Sequence, residues 1–119
     1  MQRCQWALRN NPIFSERGHS VSTGQSISGE LNAFFKGQIV PLSEAKVNVM
    51  THALHYGTGV FEGIRGNWNE EEGTVNIFRL REHYERLLRG CKLLMLDIPY
   101  SLDQLCDITV ELVNKNGHK

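Results

Sequence analysis

The chain has 119 residues, 40% of them hydrophobic and 22% charged, with 13 basic side chains balanced by 13 acidic ones. That length suits one domain with a single core, and zero formal charge argues against a nucleic-acid binder, which carries a basic excess along one face. No apolar run approaches the roughly 18 residues of a membrane span, and three cysteines (Cys4, Cys91 and Cys106) without C-x-x-C spacing exclude a disulfide framework and a thiolate zinc site.

Residues 1–30 scatter apolar side chains among Ser, Gly, Gln and Asn with no sustained period. They read as a disordered extension, and they lack the apolar stretch of a secretory signal. From Leu31 onward the chain is organised, and residues 31–119 form the expected domain. Ala33, Phe34 and Phe35 face Gln38, Ile39 and Val40 across Lys36-Gly37, the pattern of a hairpin whose Gly takes positive φ. Pro41 closes the second strand, Ser43 to Lys46 suit one helical turn, and Thr51 offers an N-cap for a short segment through Tyr56. Residues 60–68 read as a strand, closed by the acidic loop at 69–73 and paired antiparallel with residues 74–78.

Two helices complete the prediction. Leu80, Tyr84, Leu87, Leu88, Cys91 and Leu94 recur at helical spacing. After Pro99, Ser101 and Gln104 have the spacing of a capping box, Leu102, Leu105, Cys106, Thr109, Leu112 and Val113 form an apolar face, and Gly117 is the stop. Cys91 and Cys106 lie on these stripes and read as small hydrophobes. The expected class is α+β, an antiparallel sheet with helices packed on one face.

Chemistry concentrates between Thr51 and Gly66. Glycines at 57, 59, 63 and 66 are more than packing alone explains in a strand. Strand alternation puts Phe61, Gly63 and Arg65 on one face and Val60, Glu62 and Ile64 on the other. An aromatic, a missing side chain and a cation together suit the wall of a pocket for a flat, anionic ligand. The alternative is a twisted, bulged strand with Arg65 in solvent, and residue types alone leave both open. Arg81, Arg86 and Arg89 crowd the next helix, with Arg79 just before it. Arginine suits forked phosphate recognition, while a solvated face assisted by a Glu82–Arg86 pair at i, i+4 explains the same residues. His52 and His55 lack the further ligands a zinc site needs, so no metal is expected.

The run HYGTGVFEGIR at residues 55–65, followed by REHYERL at residues 81–87, resembles the branched-chain aminotransferases among the fold-type IV enzymes that use pyridoxal 5'-phosphate. The resemblance spans about residues 34–116. It implies that Arg86 binds the cofactor phosphate and that Tyr56, Phe61 and Gly63 line the pocket for the substrate side chain, with Arg65 nearby. Apolar walls fit Leu, Ile and Val, since each buried methylene favours binding by about 0.8 kcal/mol. The implied reaction moves an amino group from a branched-chain amino acid to 2-oxoglutarate.

In that family the lysine that carries the cofactor covalently lies in a larger C-terminal domain. Lys36, Lys46, Lys92, Lys115 and Lys119 do not fall in its motif, so covalent attachment through the family lysine is not expected and no catalytic residue is assigned. The chain thus reads as the small N-terminal domain, inactive alone. The resemblance further implies a cytoplasmic protein that is a homo-oligomer at full length, with a small-molecule amino acid and a 2-oxo acid as partners. Two other readings stand beside it: a noncatalytic oligomerisation or interaction fragment, and a fold-type IV enzyme for a D-amino acid or aminodeoxychorismate.

Overall fold

The computed structural model describes residues 30–117. The expected extension, apart from Glu30, and Cys4 lie outside them. β1 (Asn32–Phe35) and β2 (Gln38–Pro41) form the first antiparallel hairpin, with Phe34 opposite Ile39 and Ala33 opposite Val40. Its two-residue turn puts Lys36 at φ 51° and Gly37 at φ 86°. Two left-handed residues in succession match the twist of the strands they join, and Gly37 reaches that region without a Cβ penalty. A single 3-10 turn, Leu42–Glu44, follows, and then the short helix α1 (His52–Tyr56). Thr51 occupies the N-cap of α1, but its side chain makes no capping bond, contrary to the sequence expectation.

The second hairpin pairs β3 (Gly66–Asn69) with β4 (Thr74–Ile77). Asn69 Oδ1 accepts from the backbone N–H groups of Glu71 and Glu72, which shapes the acidic turn. The strand expected over residues 60–68 is therefore shorter than alternation suggested. The β4 register ends at Ile77 opposite Gly66, so only one further bond, Phe78 N–H to the Arg65 carbonyl at 3.0 Å, reaches upstream. Residues 60–65 keep the alternating exposure of a strand without a ladder partner among the described residues.

The α+β class holds, but among the described residues the strands form two separate two-stranded sheets rather than one. A helix, not a third strand, engages β1. Asn116, the last residue of α3 (Leu102–Asn116), accepts from Asn32 N–H at 2.7 Å and donates to the Asn32 carbonyl at 3.0 Å. α2 (Leu80–Leu93) packs beside α3 through Tyr84 and Thr109, whose hydroxyls lie 2.5 Å apart. Thr109 Oγ1 already donates to the Leu105 carbonyl, so Tyr84 is the donor between the helices. The most deeply buried apolar side chains are Leu80 and Cys91 on the α2 stripe, while Cys106 is half-buried.

The capping box of α3 forms as its spacing predicts. Ser101 Oγ accepts from Gln104 N–H, and Gln104 Oε1 accepts from Ser101 N–H at 2.8 Å. Gly117 ends the helix in the left-handed region at φ 59°. Because the Gln104 N–H would lose its acceptor, Ser101→Ala is expected to cost about 1 kcal/mol of stability, readable as a lower thermal midpoint.

Candidate functional site

The segment 60–65 lies along α2, and its alternation decides what meets the helix. Val60, Glu62 and Ile64 are half-buried, whereas Phe61, Gly63 and Arg65 are exposed, as the sequence pattern predicts. Val60 comes so close to Gly90 that a Cβ there would sit 2.9 Å from Val60 Cγ1. A glycine in the last turn of the helix is thus explained by the close approach of the Val60 side chain rather than by helix propensity. On the same helix face Arg86 stands one turn earlier and His83 two turns earlier, at the spacing that aligns side chains in a helix.

Both bond to Glu62. Arg86 donates from Nε to Glu62 Oε1 and from Nη2 to Glu62 Oε2, each at 2.6 Å, and His83 Nδ1 lies 2.8 Å from Oε2. A carboxylate with two cationic or polar donors only accepts, so His83 carries its proton on Nδ1. The Glu62 side chain is only 8% exposed, while that of Arg86 is 64% exposed. Arg86 first, and then His83, hold the Glu62 carboxyl well below the ordinary range, at about 2, and Glu62 in turn raises Arg86.

A carboxyl depressed in the folded state contributes stability above its unfolded value and loses it as pH falls through the folded one. Thermal midpoints of the wild type are therefore expected to decline between about pH 4.5 and pH 2 by more than those of Glu62→Gln, which has no such carboxylate to protonate.

Arg86 thus sits against the residue between Phe61 and Gly63, bringing together two parts of the sequence 24 positions apart. The anticipated Glu82–Arg86 pair does not form; Glu82 approaches Arg79 instead, at 3.8 Å. Arg81 turns to Asp103 on α3. Tyr56 stacks on His52 with ring centroids 4.4 Å apart, Phe61 is 90% exposed, and nothing lies within 4 Å of the position a Gly63 Cβ would take. No hydrogen bond or ring contact joins Tyr56, Phe61 or Arg65 to Arg86 among the described residues. His52 Nδ1 meets Thr58 Oγ1 at 2.7 Å, and His55 Nε2 donates to the Val49 carbonyl at 2.7 Å.

Glu62 and His83 are the residues that sequence reasoning missed. Alternation did place Glu62 away from Phe61, but no local spacing links it to a helix 20 residues on. Chemically the arrangement suits an anion. With Nε and one Nη2 hydrogen committed to Glu62, the end-on edge of the guanidinium keeps donors on Nη1 and Nη2, and Nη1 has no partner among the described residues. That donor set fits a phosphate group, and Gly63 faces open space.

Comparison with known proteins supports the same family. The amino-transferase class IV profile matches residues 59–119. The chain is 50% identical over 84 residues to a probable branched-chain-amino-acid aminotransferase of Aquifex aeolicus (strain VF5), covering 71% of this chain and 27% of that protein. It is 43% identical over 84 residues to the branched-chain-amino-acid aminotransferase of Escherichia coli (strain K12), covering 71% and 26%. A crystal structure of the branched-chain aminotransferase from Thermoproteus uzoniensis with norvaline superposes with a TM-score of 0.71 at 47% identity, over 76% of this chain and 30% of that one. The branched-chain amino acid aminotransferase from Thermobaculum terrenum, solved in its PLP-form, gives 0.62 at 38% identity, over 68% and 26%. The chain thus spans about a quarter of the length of the curated relatives it matches. With a profile match over half its length and the two motifs folded against each other through Glu62 and Arg86, the chain belongs to the amino-transferase class IV family.

Proposed function

We infer that the chain is the small N-terminal domain, over residues 31–119, of a branched-chain-amino-acid aminotransferase that uses pyridoxal 5'-phosphate. The observation that carries this reading is the Arg86 guanidinium, fastened to Glu62 beside Phe61 and Gly63 with its end-on edge exposed. Arg86 holds the phosphate through charge-assisted bonds. Tyr56, Phe61 and Gly63 present an aromatic and bare-backbone wall to the substrate side chain, and Arg65, which has no side-chain partner among the described residues, stands ready for a carboxylate. The apolar wall and the names of the matched relatives favour a branched-chain amino acid and a 2-oxo acid over a D-amino acid or aminodeoxychorismate. The bound cofactor supplies the electron sink for amino transfer.

The lysines of this chain lie outside the family's lysine motif, so its own contribution is noncovalent binding and orientation. Cytoplasmic location and a homo-oligomer at full length belong to the same proposal. Among the described residues, no helix is long and apolar enough to cross a membrane.

The test uses pyridoxine 5'-phosphate, an alcohol that cannot condense with lysine. Titrated calorimetrically into the chain, it is expected to bind, whereas pyridoxine without the phosphate does not; equal behaviour of the two overturns the reading. A second reading, an interaction fragment without ligand, draws on the exposure of Val49, Met50, Leu54 and Phe61. Concentration-dependent light scattering with no phosphate-ester binding is its signature.

A further inference from the structure

We propose that Glu62 is a positioning residue, which orients the Arg86 guanidinium so that its end-on edge faces an incoming phosphate. The inference rests on the reading of Arg86 given above and adds a residue to it. An exposed arginine carries many rotamers, and the entropy of ordering it weakens any anion it binds. Here that ordering exists before the ligand arrives. Glu62 is nearly enclosed, accepts from both Nε and Nη2 at 2.6 Å, and so fixes the plane as well as the position of the guanidinium.

Glu62 is itself held from two sides. His83 Nδ1 donates to Oε2 at 2.8 Å, and the close seating of Val60 on Gly90 pins the backbone that carries Glu62. Arg86 Nη2 and His83 Nδ1 come within 3.4 Å because both point at the same oxygen. The division of labour follows strand alternation. Glu62 reaches down to α2, while Phe61 and Gly63 on either side turn outward, so one segment carries both the proposed substrate wall and the residue that aims the phosphate donor.

The sign of a charge substitution separates positioning from simple charge balance. Glu62→Gln removes a negative charge beside Arg86, and Coulomb's law alone makes a phosphate bind more tightly to the variant. Positioning predicts the reverse, a loss of about tenfold in affinity for pyridoxine 5'-phosphate. Glu62→Asp keeps the charge but shortens the reach by one methylene, and a similar loss is expected. It also decides the matter should the Gln variant fail to fold. A parallel readout is the Arg86 Nε–H resonance, which is expected to be sharp and protected in the wild type and exchange-broadened in both variants, with the α2 amide resonances unmoved. A role confined to holding the fold would move the α2 amides and leave a folded variant's affinity unchanged.

Affinity equal to or above wild type in Glu62→Gln, or wild-type affinity in Glu62→Asp, overturns the proposal. Wild-type affinity in an Arg86 variant overturns instead the reading of Arg86, and the proposal with it, so the two failures are told apart.

Discussion

Arg86→Met is expected to lower affinity for pyridoxine 5'-phosphate by about ten- to a hundredfold, the loss of one or two charge-assisted hydrogen bonds. Methionine retains an unbranched apolar stem of good helix propensity, so α2 itself is expected to be kept. What disappears is the exposed end-on edge and its positive charge. The substitution has a second, independent consequence. Glu62 owes its depressed pKa first to Arg86 and only then to His83, so its acid midpoint climbs towards the ordinary carboxylate range in the variant. Calorimetric titration reads the first effect and the pH dependence of unfolding reads the second. Binding that falls while the acid response stays fixed would place the phosphate on Arg86 but break the assigned pairing with Glu62.

Leu80→Ala is the substitution expected to cost most in stability. Leu80 opens α2 and is 5% exposed, in a domain whose only other comparably buried apolar side chain among the described residues is Cys91. Cutting a buried leucine to alanine loses transfer free energy and leaves a cavity, together about 2–5 kcal/mol. A domain this small loses roughly 4–8 °C of thermal midpoint per kcal/mol, so a fall of about 10 °C or more is expected. Leu93, at the other end of the same helix, is 84% exposed and serves as the control. Leu93→Ala removes the same atoms from a surface position and is expected to leave the midpoint within a few degrees. Equal losses at both positions would mean that the face bearing Leu93 is covered in solution.

Much of the chain is legible in its residue order. The hairpin turn at Lys36 and Gly37, the capping box of Ser101 and Gln104, the stop at Gly117 and the α2 stripe through Leu80 and Cys91 all form where their residue types put them. Each depends on neighbours within about four positions, which is the range over which turn chemistry, capping and helical period act. The outward turn of Phe61, Gly63 and Arg65 is legible for the same reason, since alternation is a property of extended backbone itself.

Where spacing misleads, a distant partner has intervened. Arg86 has a suitable acid four residues earlier on its own helix, yet it pairs with Glu62 instead. Glu82 offers one exposed contact, whereas Glu62 offers two bonds at 2.6 Å in a nearly enclosed position, where a charge–charge contact is less screened. Residues 60–65 look like strand, but β4 is too short to pair with them, and strand formation needs a second chain segment that no local pattern announces. The amino-acid order by itself therefore settles the Lys36–Gly37 turn, the two caps of α3, the α2 stripe and the family motifs. The tertiary structure alone decides which carboxylate holds Arg86, that His83 shares it, and that the sheet divides in two, because those outcomes depend on distances between residues far apart along the chain.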